Sequence, residues 1–322
     1  MEFIGRSLAP YLAQRLGLPI WYEETIPWQE RERRFDAGTI QMAWICGLPY
    51  VQKVADPARA ISLLAAPVPA GARYGGRPVY FSDIVVRRDS PFRRFEDLRG
   101  ATWSYNEPNS HSGYTTIRYA LARRGEDGHF FGRVIASGAH EQSLALILAG
   151  DVDGSAIDST VLEMAIAQRP ELADEIRVLD TIGPSPSPPL LANDSLPAAQ
   201  REAIQDILWN MHKEAEGRRL LEAARLARFA AVKDATYDTL RKMTAEAAKV
   251  HFAGSSSALR ARGALTGKIR PIAALLGRSW ALIWSETGIS GRSGRQISTD
   301  SIVNCCSKFD SVIVQAGLSR AR

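Results

Sequence analysis

The apolar positions Leu8, Tyr11, Leu12 and Leu16 recur at helical spacing until Gly17 and Pro19 stop the pattern, which predicts a helix over about Glu2–Leu16 and a strand around Pro19–Glu23. Trp28–Ala37 reads as a second helix, closed by Gly38, whose charge run Arg31-Glu32-Arg33-Arg34 forms a solvated face. Strand-length apolar runs follow at Ile40–Cys46, Ala60–Ala66, Val79–Arg87, Ala101–Tyr105, Arg133–Ser137, Gly154–Asp158 and Ile176–Ile182. Helical stretches lie between several of them, at Pro49–Val54, Gly113–Arg124, Gln142–Leu148 and Thr160–Gln168. Strands alternating with helices predict an α/β architecture with largely parallel sheets, buried on both faces.

Residues 184–189, Pro-Ser-Pro-Ser-Pro-Pro, cannot continue a helix or a central strand, because proline lacks the N–H and fixes φ. An extended connector is expected there. Beyond it, Ala198–Glu216, Gly217–Arg228 and Ala235–Val250 are rich in Ala, Leu, Glu, Lys and Arg and predict helices. After Phe252 the texture changes to Gly, Ser and Arg. Apolar patches remain at Pro271–Leu276 and Ser311–Ala316 without a sustained period, so residues 253–322 read as a poorly ordered basic tail.

Charge changes meaning once it is located. The chain of 322 residues has a formal net charge of +5, which alone would suggest nucleic acid or an anionic membrane as partner. Residues 254–322, however, hold ten basic and three acidic groups, leaving the body with 30 and 32 and a net charge of −2. The tail carries no nucleic-acid-binding signature, so no nucleic-acid partner is expected. Cys46 is the single cysteine of the body, which therefore forms no internal disulfide. The opening residues are too short and polar for a secretory signal, and no window reaches the roughly 18 apolar residues of a spanning helix.

Three polar clusters sit where strands give way to helices. In Asn106-Glu-Pro-Asn-Ser110-His111-Ser112-Gly113-Tyr114, unpaired backbone N–H groups at a helix start, two hydroxyls and a glycine make a cradle for a tetrahedral oxyanion; simple N-capping by serine is the equal alternative. Ser137-Gly-Ala-His140 offers an imidazole at a second helix start, as an anion donor or a cap. Gly150-Asp-Val-Asp-Gly-Ser-Ala-Ile-Asp158 ends a strand on a carboxylate that either faces a ligand, orders His140 or caps the next helix. The histidines lack ligand spacing, so neither a metal nor a cofactor is expected. No Gly-x-Ser-x-Gly elbow is present, and no catalytic residue is assigned.

Taken in order, these clusters resemble the phosphate/phosphite/phosphonate-type substrate-binding proteins of ABC transporters. The resemblance covers about residues 2–252. It also rests on Leu12-Ala-Gln-Arg-Leu-Gly-Leu-Pro, Gly38-Thr-Ile-Gln-Met-Ala-Trp44-Ile-Cys-Gly-Leu-Pro-Tyr50-Val, the run from Tyr80 to Ser90, and Phe95-Glu-Asp-Leu-Arg-Gly100.

The resemblance implies a two-lobed type 2 periplasmic-binding-protein fold that closes like a hinge. Lobe 1 would be 1–81 plus 181–252 and lobe 2 would be 82–180, with crossovers near Tyr80–Ile84 and Leu179–Pro184. The implied ligand-binding residues are Tyr50, Tyr80, Ser110, His111, Ser112, His140 and Asp158, with His111 standing where the family often has threonine. The implied partners are a small oxyanion and a membrane permease, and the implied location is periplasmic or extracytoplasmic. Two departures are expected to matter: the first helix is not preceded by the family's initial strand or export signal, as if the natural N-terminus were missing, and the tail is unmatched. An enzyme or a ligand-sensing domain on the same fold is the alternative.

Overall fold

The computed structural model describes residues 2–23, 25–56, 61–253, 256–257 and 309–314. In chain order the first elements are α1 (Glu2–Leu16), β1 (Ile20–Glu23), α2 (Trp28–Asp36), β2 (Met42–Ile45), α3 (Gly47–Val54), β3 (Ile61–Pro69), β4 (Val79–Arg87), β5 (Thr102–Tyr105) and α4 (Thr116–Arg123). Then come β6 (Arg133–Ala136), α5 (His140–Ala149), β7 (Gly154–Asp158), α6 (Ser159–Gln168), α7 (Leu172–Glu175), β8 (Ile176–Pro186), β9 (Leu190–Asn193) and α8 (Ala198–Asn210). The last are α9 (Ala215–Ala223), β10 (Leu226–Ala230), α10 (Asp238–Ala247), β11 (Ser256–Ser257) and β12 (Phe309–Val314).

Two six-stranded sheets result, one ordered β1-β12-β2-β9-β3-β10 and the other β11-β6-β5-β7-β4-β8. Because successive side chains on a strand face opposite ways, each sheet is covered on both sides. In the first, Met42 and Trp44 join Leu8, Leu12, Ile204 and Phe229, while Ala43 and Ile45 join Phe35, Leu48 and Leu240. In the second, Ile84, Val86 and Val134 pack with Trp103, Ile117 and Phe131, while Val85 and Ile135 pack with Leu144, Ile147 and Leu162. The sheets are mixed rather than largely parallel. β9 runs antiparallel to both β2 and β3, and β4 runs antiparallel to both β7 and β8.

Two strands carry the chain between the sheets. β3 belongs to the first sheet and β4 to the second, and the return runs from β8 to β9. β4 and β8 lie side by side from Val79↔Pro186 to Arg87↔Ile176. The proline-rich connector is therefore partly strand: Pro184 and Pro186 fall in β8, which sits at the end of its sheet, where a missing N–H costs no ladder bond. Asp83 of β4 is buried there, accepting from Arg73 at 2.8 and 3.0 Å and from Thr181 Oγ1 of β8 at 2.8 Å.

Three segments depart from the sequence reading. Leu226–Ala230, of which Leu226–Arg228 were expected at the end of a helix, is a strand antiparallel to β3; Arg225 adopts φ +55° just past α9, ending it without a glycine. Val250 and Phe252, expected in the first lobe, lie in the hydrophobic core of the second sheet, Phe252 packing on Tyr114 and Phe131. Within the tail, 256–257 pairs with β6 and 309–314 enters the first sheet between β1 and β2. The patch at Pro271–Leu276 lies outside the described residues.

Candidate functional site

β5 runs parallel to both β6 and β7, so all three strands end at the same edge of the second sheet. The segments leaving them, 106–115, 137–140 and 158–159, are gathered there, and that convergence brings serine, histidine and aspartate together from distant sequence positions. After β5 the chain forms a wide π-type turn over His111–Thr115 before α4 begins. Ser110 caps it, its Oγ accepting from the Gly113 N–H at 3.1 Å, while the Thr115 N–H and hydroxyl both donate to the Ser110 carbonyl at 3.1 Å. Gly113 is required by its neighbours: a Cβ there would stand 2.1 Å from Asn106 Oδ1 and 3.2 Å from the His140 ring.

Ser112 sits at the centre. Its Oγ lies 2.8 Å from His140 Nε2 and 3.5 Å from Ser110 Oγ, and the Tyr80 phenol is buried beside it. His111 turns toward the crossover strand instead, with Nε2 3.0 Å from Ser185 Oγ, and its ring meets Tyr80 edge-on at 6.4 Å. Ser110, His111, Ser112, His140 and Tyr80 are all buried, none more than 6 % exposed, so the cluster is sealed in this conformation.

Burial sets the protonation. Desolvation lowers His111 and His140 to about 4, the latter partly offset by the Ala156 backbone, so both imidazoles are neutral near pH 7. Burial also raises Asp158 to about 6, against the stabilising Thr160 bonds, and pushes Tyr80 well above the usual phenol range. The linkage has opposite signs. Unfolded histidines protonate near 6.5 while the folded ones resist until about 4, so their contribution is lost as pH falls through that window. Asp158, with its raised value, gains stability as pH falls from 6 toward 3.8. Two groups against one leave a net uptake of about one proton on unfolding, so urea-unfolding free energy is expected to drop by on the order of 1 kcal/mol per unit between pH 6 and 5. Stability that stays flat or rises across that interval would contradict the neutral-histidine assignment.

Of the residues implied by resemblance, the structure brings together Tyr80, Ser110, His111, Ser112 and His140. Asp158 reaches the same edge, but its Oδ1 caps α6, accepting from the Thr160 N–H at 2.8 Å and hydroxyl at 2.7 Å, and does not order His140. Tyr50 stands apart from the cluster. α3 packs so closely on α10 that a Cβ on Gly47 would meet Leu240 at 2.6 Å, and this carries Tyr50 toward Asp234, to which its hydroxyl donates at 2.7 Å. It lines a separate cavity of about 580 Å³ with Val51, Asp238 and Arg241. Trp44 is core, with Nε1 donating to the Pro188 carbonyl. Ser185 was missed in the sequence: its only local signal is a polar residue between prolines. Among the described residues no metal-binding group of His, Cys, Asp or Glu occurs, and no helix is long and apolar enough to cross a membrane.

Residues 5–237 match the family model described as the periplasmic substrate-binding protein of phosphonate ABC transporters. The chain belongs to this family. It is 26% identical over 173 residues to the phosphonates-binding periplasmic protein of Escherichia coli (strain K12), a match covering 52% of this chain and 51% of that one. The chain thus spans about half the length of that curated relative. Two solved structures share the fold. The binding protein component of a phosphonate ABC transporter from Pseudomonas aeruginosa has TM-score 0.66 and 20% identity, covering 85% of this chain and 87% of that one. PhnD1 from Prochlorococcus marinus in complex with methylphosphonate has TM-score 0.65 and 17% identity, covering 76% and 91%. These are type 2 periplasmic binding proteins, and the two-sheet α/β architecture of this family member is theirs.

Proposed function

We propose that this family member captures a small phosphorus oxyanion between lobes and delivers it to an ABC permease outside the cytoplasm. The observation that carries the reading is the buried Ser110–Ser112–His140 group at the start of a helix. The first amides of that turn have no intrahelical partner, and the helix dipole adds partial positive charge. Hydroxyls and neutral imidazole N–H groups supply further donors without burying a full charge, which suits an anion that brings its own. Lobe 1 is assigned to 1–81 plus 181–247 and lobe 2 to 82–180 plus 248–253, with β4 and β8 as the crossovers. Since the group is sealed, these two strands would have to flex to admit ligand.

In this reading Tyr80, Ser110, Ser112 and His140 face the phosphorus oxygens, His111 reaches them through Nδ1 while Ser185 holds its Nε2 from the crossover, and Asp158 borders the substituent. The family's relatives named for phosphonate favour a phosphonate over phosphate or phosphite.

A hydrolase is the competing reading, because Ser112 and His140 stand at nucleophile-to-base distance. An imidazole held near 4, with no carboxylate among the described residues orienting it, is a poor base at neutral pH. Phosphorus NMR of a phosphonate monoester incubated with the protein separates the two. Capture leaves the ester intact and broadened, whereas steady hydrolysis that disappears in His140→Ala replaces capture with catalysis.

A further inference from the structure

β1 has one strand partner among the described residues, and it is β12. The pairing runs antiparallel from Ile20↔Val314 to Glu23↔Ser311. The other side of β12 pairs antiparallel with β2, from Phe309↔Ile45 to Val312↔Met42. Ser311 and Val312 are thus bracketed on both sides, Val312 by Tyr22 and Met42. Residues 2–253 alone therefore form a sheet with a gap one strand wide. Neighbouring strands lie about 4.8 Å apart, so β1 and β2 stand roughly two spacings from each other and cannot pair directly. With the gap empty, both strands would present unpaired N–H and C=O groups inside a sheet covered by α1 and α2.

We propose that Phe309–Val314 is a complementing strand, and that the gap between β1 and β2 is a binding site for an extended, β-branched segment that this chain fills with its own C-terminal region. Val312-Ile313-Val314 is a run of strong strand formers, in a tail otherwise rich in Gly, Ser and Arg. Main-chain bonds on two sides supply the affinity, as in strand addition generally, with the difference that the added strand is internal to the sheet. β1, and the docking of α1 beside it, then depend on residues 309–314; the second sheet does not.

Cysteine cross-linking of the full chain, with Cys46, Cys305 and Cys306 replaced by serine, tests the register. Y22C/V312C and M42C/V312C place directly opposed residues within disulfide reach, whereas Y22C/F309C is three residues out and beyond about 7 Å. Mild oxidation should give intramolecular cross-links in at least one registered pair at about tenfold or more the yield of the shifted pair. No cross-link, or equal yields, overturns the proposal.

Hydrogen exchange on the full chain adds the energetic consequence. Val312→Pro should lower protection at 20–23 and 42–45 by about tenfold or more while 154–158 keeps its protection, and a synthetic peptide spanning 307–316 should restore it. Protection at 20–23 identical to that of the unaltered chain also overturns the proposal. If the proline variant fails to fold, the cross-link yields, read on an otherwise intact backbone, decide alone.

Discussion

Ser112→Ala is expected to weaken phosphonate binding by about 10–100-fold in a chain that still folds. The hydroxyl lies 3.5 Å from Ser110 Oγ and 2.8 Å from His140 Nε2, so its removal takes away a donor to the anion and releases the imidazole that shares it. A hydrogen bond to a charged ligand contributes about 1.5–3 kcal/mol, which sets that range. Stability should fall by about 1–3 kcal/mol, because the buried His140 Nε2 loses its partner, while the fold is kept by the capping bond of Ser110 and by the Ser112 carbonyl, which still accepts from Thr116 Oγ1 at 2.6 Å. Parallel titrations of both proteins with methylphosphonate read the effect. An affinity within twofold of the unaltered chain would remove Ser112 from the site.

The second large effect concerns the crossover. Arg73→Ala should destabilise the fold by about 2–4 kcal/mol, lowering the thermal midpoint by on the order of 5–10 °C. Asp83 is 1% exposed, and loss of the bidentate guanidinium leaves its carboxylate, among the described residues, with the Thr181 hydroxyl as side-chain partner. The figure sits below that for a fully buried pair because Arg73 is 37% exposed and its charge is partly screened. Adding Asp83→Asn to the Arg73→Ala chain should recover part of the loss, since the uncompensated charge is what costs most. A single-variant effect below about 0.5 kcal/mol, or a double variant worse than the sum, would contradict this role of the Arg73–Asp83 pair at the crossover strands.

Much of this was legible in the chain. The uninterrupted apolar run Ile84-Val85-Val86 predicts a strand buried on both faces, and its alternate residues do enter opposite cores. The helix starts at Ser110–Gly113 and His140 were visible as polar clusters between apolar runs, and parallel strand order explains why they meet. What local pattern could not show was long-range partnership. Leu-Ala-Arg-Phe-Ala at 226–230 has helix-forming composition, and only the ladder to β3 and the left-handed Arg225 make it a strand. Ser185 reaches His111 across 74 positions of sequence, and Tyr50 is drawn to Asp234 across 184. Phe309–Val314 gave an apolar signal without period, because the strands that frame it lie near the other end of the chain.

In the function proposed above, the sealed cluster is the anion site of a phosphonate receptor. Calorimetric titration of the folded full chain with methylphosphonate, and separately with phosphite and phosphate, tests it most directly. The account predicts saturable binding of about one phosphonate per chain, weakened in Ser112→Ala. Absence of binding to all three anions, by protein shown to be folded by circular dichroism, would contradict it.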